Sequence, residues 1–131
     1  FIQLKKHPWR SLKTASSERK VPLAGHSLWA AQRIMCNHGG HLHAFLRYNA
    51  RDTTSANSAS AALNKWLKDF VEKGCTIHSF RHSFRDRLRA VSCPGDIIDQ
   101  LGGWRTAGVG QGYGEGYPVN VMADWVQKIA D

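Results

Sequence analysis

Cysteine is scarce in this chain: three residues in 131, at positions 36, 75 and 93. An odd, widely spaced set excludes a disulfide framework and makes a reducing cytoplasm the default compartment. No apolar run approaches the ~18 residues that a membrane span needs. No basic-then-apolar leader is present, and the chain does not start with methionine. Internal repeats are absent, and the glycine-rich stretch 108–116 is the only biased tract. The most informative shortage is of acid. Residues 1–51 hold nine lysines and arginines against the single acid Glu18, whereas residues 52–131 carry nine of each sign. The resulting net charge of +8 and pI near 9.8 point to a polyanionic partner, with nucleic acid first. The plainer alternative is charge kept for solubility.

What is present suits one folded domain: 42% apolar and 21% charged residues over a length too short for two cores. The opening Phe1-Ile2-Gln3-Leu4 reads as the middle of a strand, so the chain is expected to be a piece of a longer protein. Residues 9–14 and 19–23 flank the polar stretch 15–18 and predict a β-hairpin. Helical spacing predicts a helix over His26–Cys36, stopped by the glycines at 39 and 40. Residues 41–48 are expected to form a short strand or an irregular link, and 51–58 a loop. Ala59, Ala62, Leu63, Trp66, Leu67, Phe70 and Val71 recur at helical spacing and predict a helix from about Asn57 to Lys73 with one buried face. Ser79 is expected to cap a helix running to about Val91, with Phe80, Phe84, Leu88 and Val91 inward. Pro94 opens another helix ending at Gly102-Gly103. Pro118 opens the last, with Val121, Met122, Trp125, Val126 and Ile129 inward. The expected fold is mainly α with a small β-hairpin or sheet near the N-terminus.

The chemistry concentrates in two stretches. In Thr76-Ile-His78-Ser-Phe-Arg81-His82-Ser-Phe-Arg85, His78 and Arg81 fall at a helix start, where free N–H groups and the dipole favour an anion. Arginine offers a planar donor fork that suits phosphate oxygens, and histidine exchanges protons near neutral pH. A solvated basic helix is the plainer reading, and His-x-x-Arg alone is a weak signal. The second stretch is Leu101-Gly-Gly-Trp104, followed nine residues later by Tyr113 among alternating glycines. Such a backbone argues against a core tyrosine. A free phenol ionises near pH ~10, so a nucleophilic tyrosine needs cationic neighbours or a base.

His-x-x-Arg at a helix start, then Gly-Gly-Trp, then tyrosine nine positions on, resembles the catalytic layout of the tyrosine recombinases (phage integrase family). Leu12-Lys13-Thr14 through Arg19-Lys-Val-Pro-Leu23 resembles the hairpin that carries the catalytic lysine of that family. The likeness covers about residues 12–117. It implies the C-terminal part of the recombinase catalytic domain, a DNA breaking-rejoining fold.

In that reading Tyr113 would attack the scissile phosphodiester to form a 3′-phosphotyrosyl link. Arg81 would stabilise the phosphoryl oxygens, and His78 would bind phosphate and manage the tyrosine proton. Lys13 would protonate the departing 5′-oxygen. Trp104 would donate its indole N–H where most members have histidine. Lys13, Arg19, Arg81 and Arg85 would contact DNA. No cofactor or metal is implied.

The implied partners are double-stranded DNA, a homotetramer on that DNA, and accessory DNA-bending proteins, in a bacterial cytoplasm, with no membrane. The implied function is site-specific recombination or integration by a prophage or integrative element. A type IB topoisomerase and a non-catalytic DNA-binding module are the alternatives. The first catalytic arginine of the family, in a Gly-x-Arg-x-x-Glu type motif, has no counterpart here; Arg10 is not that residue. The expectation is an enzyme whose upstream half, with that arginine and a core-binding domain, is missing, so that this portion alone is inactive or impaired.

Several features rank lower. Cys36, His38, His41 and His43 cluster in sequence, but a second ligand pair is lacking and no metal site is expected. His82 reads as a structural or supporting histidine. Trp66 and Trp125 read as core. Tyr117 is a weaker nucleophile candidate, thirteen residues after Trp104 and next to Pro118. The helix over 118–131 is expected to pack either on its own domain or on a neighbouring protomer.

Overall fold

The computed structural model describes residues 1–8, 11–14, 17–37, 39–50, 53–104 and 116–130. Two short strands, β1 (Ile2–Leu4) and β2 (Arg19–Val21), pair antiparallel with Ile2 opposite Val21 and Leu4 opposite Arg19. Helix α1 spans Gly25–Asn37. A 3₁₀ turn at Leu46–Tyr48 leads into a second small hairpin, β3 (Asn49–Ala50) with β4 (Thr53–Thr54). Then follow α2 (Ala56–Leu67), α3 (Ser79–Ala90), α4 (Gly95–Gly102) and α5 (Val119–Gln127). The chain is therefore mainly helical with a small antiparallel sheet near its start. Among the described residues no helix is long and apolar enough to cross a membrane.

The core is made by the last three helices and the segment after β2. Leu88 of α3, Ile97, Ile98 and Leu101 of α4, and Met122 and Val126 of α5 are buried together with Ala24, Cys93 and Ile129. Burying each large apolar side chain contributes roughly 1.5–3 kcal/mol, so this cluster holds α3–α5 as a unit. Helix α5 thus packs on its own chain, with Val121 and Trp125 partly buried against the same cluster. Strand β2 lies beside α4 and α5, which brings the first hairpin to the C-terminal helices.

Several expectations need correction. The first hairpin uses residues 2–4, not 9–14, as the partner of 19–21. Residues 11–14 lie in the connection, and 9, 10, 15 and 16 fall outside the described residues. Asn49–Ala50 pairs with Thr53–Thr54, and α2 begins at Ala56, within the stretch 51–58 expected as a loop. Helix α2 stops at Leu67, six residues before the expected Lys73. Its apolar face is not buried: only Leu67 is, while Trp66 is 57% exposed, stacked obliquely on Phe70. Periodicity reports an apolar face but not what covers it. Phe80 likewise points outward at 60% exposure, although Leu88 on the same helix is fully enclosed.

Helix α3 ends on an uncommon residue. Ser92 takes the left-handed conformation at φ 59, while the Cys93 N–H reaches back to the Leu88 carbonyl at 3.0 Å. Left-handed backbone costs a side-chain-bearing residue roughly 1–2 kcal/mol, part of which glycine loses again through its freer unfolded chain. Ser92→Gly is expected to stabilise the fold by about 0.5–1 kcal/mol in urea unfolding, with the m-value unchanged.

Candidate phosphate-binding site

The site grows from the junction of α3 and α4. On α3, residues four apart stand side by side, giving one row of His78 and His82 and another of Arg81 and Arg85. The two imidazoles meet edge to face with ring centroids 5.4 Å apart. Across from the arginine row lies Trp104, just past α4. The Arg81 guanidinium carbon stands 4.2 Å from the centre of the Trp104 ring and that of Arg85 4.9 Å, both within cation–π range. Arg85 also reaches Asp99 on α4, Nη2 to Oδ1, at 3.5 Å.

The end of α4 fixes the indole. Gly103 is left-handed at φ 64, and the Trp104 N–H returns to the Asp99 carbonyl at 2.9 Å. This turn lays the six-membered half of the indole over Gly102. A side chain built there would begin 1.8 Å from Trp104 Cζ3. Glycine at 102 is therefore needed for a tryptophan at 104 lying this way.

The hairpin joins through Arg19. Its Nε donates to the Leu101 carbonyl at 3.0 Å and its Nη1 to the Ser17 carbonyl at 2.9 Å. Ser17 in turn exchanges a hydroxyl hydrogen bond with Thr14 at 3.0 Å. The connection that carries Lys13 is thus tied to the end of α4, with the Lys13 side chain exposed. Burial, and then the positive charge of Arg81, pull the Arg19 pKa below its ordinary value. Among the described residues, neither Arg19 nor Arg81 has a carboxylate at salt-bridge distance. Two guanidinium groups thus share a partly desolvated corner, an arrangement that an anion would relieve.

Of the residues singled out in the sequence, Arg81, Arg85, Trp104 and Arg19 come together here, and His78 stands at the start of the same helix. His78 itself occupies the position before the helix. The Ser79 hydroxyl accepts the Thr76 N–H at 3.1 Å and does not cap α3 as expected. Tyr113 lies outside the described residues. Among those described, no three His, Cys, Asp or Glu side chains gather at metal-binding distance; His38 lies outside them.

Sequence reasoning passed over Asp99 and Gln100, and read Gly102 as a helix end and part of the Gly-Gly-Trp stretch without its role as the seat of the indole. The available signal was a polar Asp99-Gln100 pair set between Ile97-Ile98 and Leu101. Gln100 grips Tyr117: its Oε1 accepts the Tyr117 N–H at 2.8 Å and its Nε2 donates to the Tyr117 carbonyl at 3.0 Å. The Tyr117 hydroxyl donates to Asp96 Oδ2 at 2.5 Å. Compared with family models, with curated proteins and with solved structures, the chain matches none of them.

Two outcomes follow from this geometry. Gly102→Ala is expected to expel the indole from its seat, lowering stability by roughly 1–3 kcal/mol and moving the near-ultraviolet circular dichroism of tryptophan. Tyr117 is a poor nucleophile, because its hydrogen bond to Asp96, burial and the Asp96 charge raise its pKa above the ordinary phenol value. Ultraviolet titration is expected to show a phenol step above the ordinary range that Tyr117→Phe abolishes. The folded-state pKa is the raised one. The stability this hydrogen bond gives is therefore present at neutral pH and lost as pH rises through the Tyr117 pKa.

Proposed function

We propose that this chain is catalytic machinery of a DNA strand-exchange enzyme of the tyrosine-recombinase kind, acting in site-specific recombination or integration. The observation that carries this reading is the Arg81–Trp104 stack at 4.2 Å, with Arg19 anchored beside it on the Leu101 carbonyl. Three sequence-distant stretches of the resemblance, 12–23, 78–81 and 101–104, meet at one corner that carries positive charge. Phosphate is the ligand such a corner favours.

The chemistry follows from the residue types. The Tyr113 oxygen attacks the scissile phosphorus, and the P–O5′ bond breaks. The phenol proton leaves with help from His78, and the departing 5′-oxygen takes a proton from Lys13. Arg81 and the Trp104 N–H stabilise the charge that builds on the non-bridging oxygens. The phosphotyrosyl link conserves the bond energy, so a second 5′-hydroxyl reverses the step on a new strand. A type IB topoisomerase would use the same groups, and is separated by relaxing supercoils without two specific sites.

The test is a nicked suicide duplex incubated with the protein and with its Tyr113→Phe variant, resolved in SDS. An adduct that Tyr113→Phe abolishes is the expected result, weak because these 131 residues hold no counterpart of the family's first catalytic arginine. Adducts that survive Tyr113→Phe would move the nucleophile elsewhere. DNA binding that weakens with salt but never yields an adduct would make this a binding module.

A further inference from the structure

We infer that Asp99 and Arg85 are positioning residues, an ion pair between α4 and α3 that holds the Trp104 indole where Arg81 can stack on it. The inference rests on the reading of Arg81 and Trp104 as phosphate ligands. It also gives Arg85 a different task from the DNA contact that its place in the sequence suggests.

Four observations carry it. Asp99 is a carboxylate only 8% exposed on a helix otherwise buried through isoleucine and leucine. A charge in that setting is tolerated when it is paired, and the Arg85 guanidinium is within 3.5 Å. The same guanidinium stands over the Trp104 ring, and the Trp104 N–H bonds the Asp99 carbonyl, so the ring is held from the Asp99 backbone and side chain together. Finally, Arg85 Nε is enclosed without a hydrogen-bond partner. An arginine kept for solvent or for a passing phosphate would leave that donor open; here it is shut off from water.

Charge explains why the pair is needed. Two guanidinium groups on one indole repel each other. Asp99 neutralises Arg85, so Arg85 can brace the ring while Arg81 keeps its charge for an incoming anion. Arg85, Asp99 and Gly102 then hold the ring between them, and Arg81 is the cation turned to the ligand.

The sign of one substitution separates this role from direct DNA contact. Asp99→Asn removes a negative charge beside a basic site, so on charge alone it would tighten binding to a duplex. Positioning requires the opposite: roughly five- to tenfold weaker binding at constant salt. The apo protein supplies a second readout, the Trp104 indole N–H resonance in a ¹⁵N correlation spectrum, assigned with Trp104→Phe. Asp99→Asn is expected to shift or broaden it before any DNA is added. Arg85→Gln, at a side chain 38% exposed, serves if the buried substitution unfolds the protein, and is expected to disturb the same resonance. Arg85→Lys keeps the charge pair and is expected to restore duplex binding in part.

An unmoved Trp104 resonance in both variants, or Asp99→Asn binding the duplex as tightly as the parent, overturns the positioning role. A duplex that leaves the parent Trp104 resonance unchanged, while the apo shift in Asp99→Asn is present, overturns the phosphate reading and supports the pair as the support of the ring.

Discussion

Every tether of the candidate site starts from the burial of one side of α4. Ile97, Ile98 and Leu101 are enclosed by α3 and α5, and this fixes an eight-residue helix that propensity alone could not hold. With its inner face committed, the remaining groups become fixed points. The Leu101 carbonyl takes Arg19, the Asp99 carbonyl takes Trp104, the Asp99 carboxylate takes Arg85, and Gln100 and Asp96 take Tyr117. The hairpin, the arginine row and the residues on both sides of 105–115 therefore share one reference frame. Loosening α4 would loosen all of them together.

Tryptophan at 104 suits this frame because it serves two directions at once. Its face is a cation acceptor and its edge carries a single N–H donor. A histidine in its place would bring a titrating group next to two guanidinium groups, whose charge would disfavour protonation. The indole has no such dependence. Its cost is size, met locally by Gly102, where even one methyl group would collide with the ring.

The parts legible in the sequence were those fixed by local rules. Pro94 before α4, Gly103 after it and Pro118 before α5 mark helix ends through their own backbone preferences, and the structure has them there. His78 falls just before α3 and Arg81 in its first turn, where the order of the residues alone puts them. What the sequence did not disclose depends on partners far along the chain. The strand opposite β2 comes from residues 2–4, since pairing depends on which edge is free, and a three-residue strand has almost no periodicity to read. The apolar row from Ala59 to Val71 looked like a core face, yet Leu63 and Trp66 on α2 and Phe70 beyond it are exposed, because a row of apolar residues carries no record of its cover. Asp99 escaped notice for the reverse reason: an acid in an apolar run reads as a surface position until the arginine that neutralises it is seen.

If the corner binds phosphate as proposed, the Arg85–Asp99 pair also bears on how strongly it attracts that anion. If all three arginines were unpaired, their mutual repulsion would push the side chains apart and into water, and the site would have to be assembled by its ligand. A permanent neutralising partner for each would leave a rigid corner with no charge to offer. Here one cation is neutralised and built into the wall, one is anchored through a neutral carbonyl with its charge intact, and one lies on an aromatic face. In the proposed reading Arg19 and Arg81 keep the attraction, while Arg85 and Asp99 supply the rigidity. Separating those two tasks lets a site be both ordered and charged before its ligand arrives, the condition under which electrostatic stabilisation is strongest.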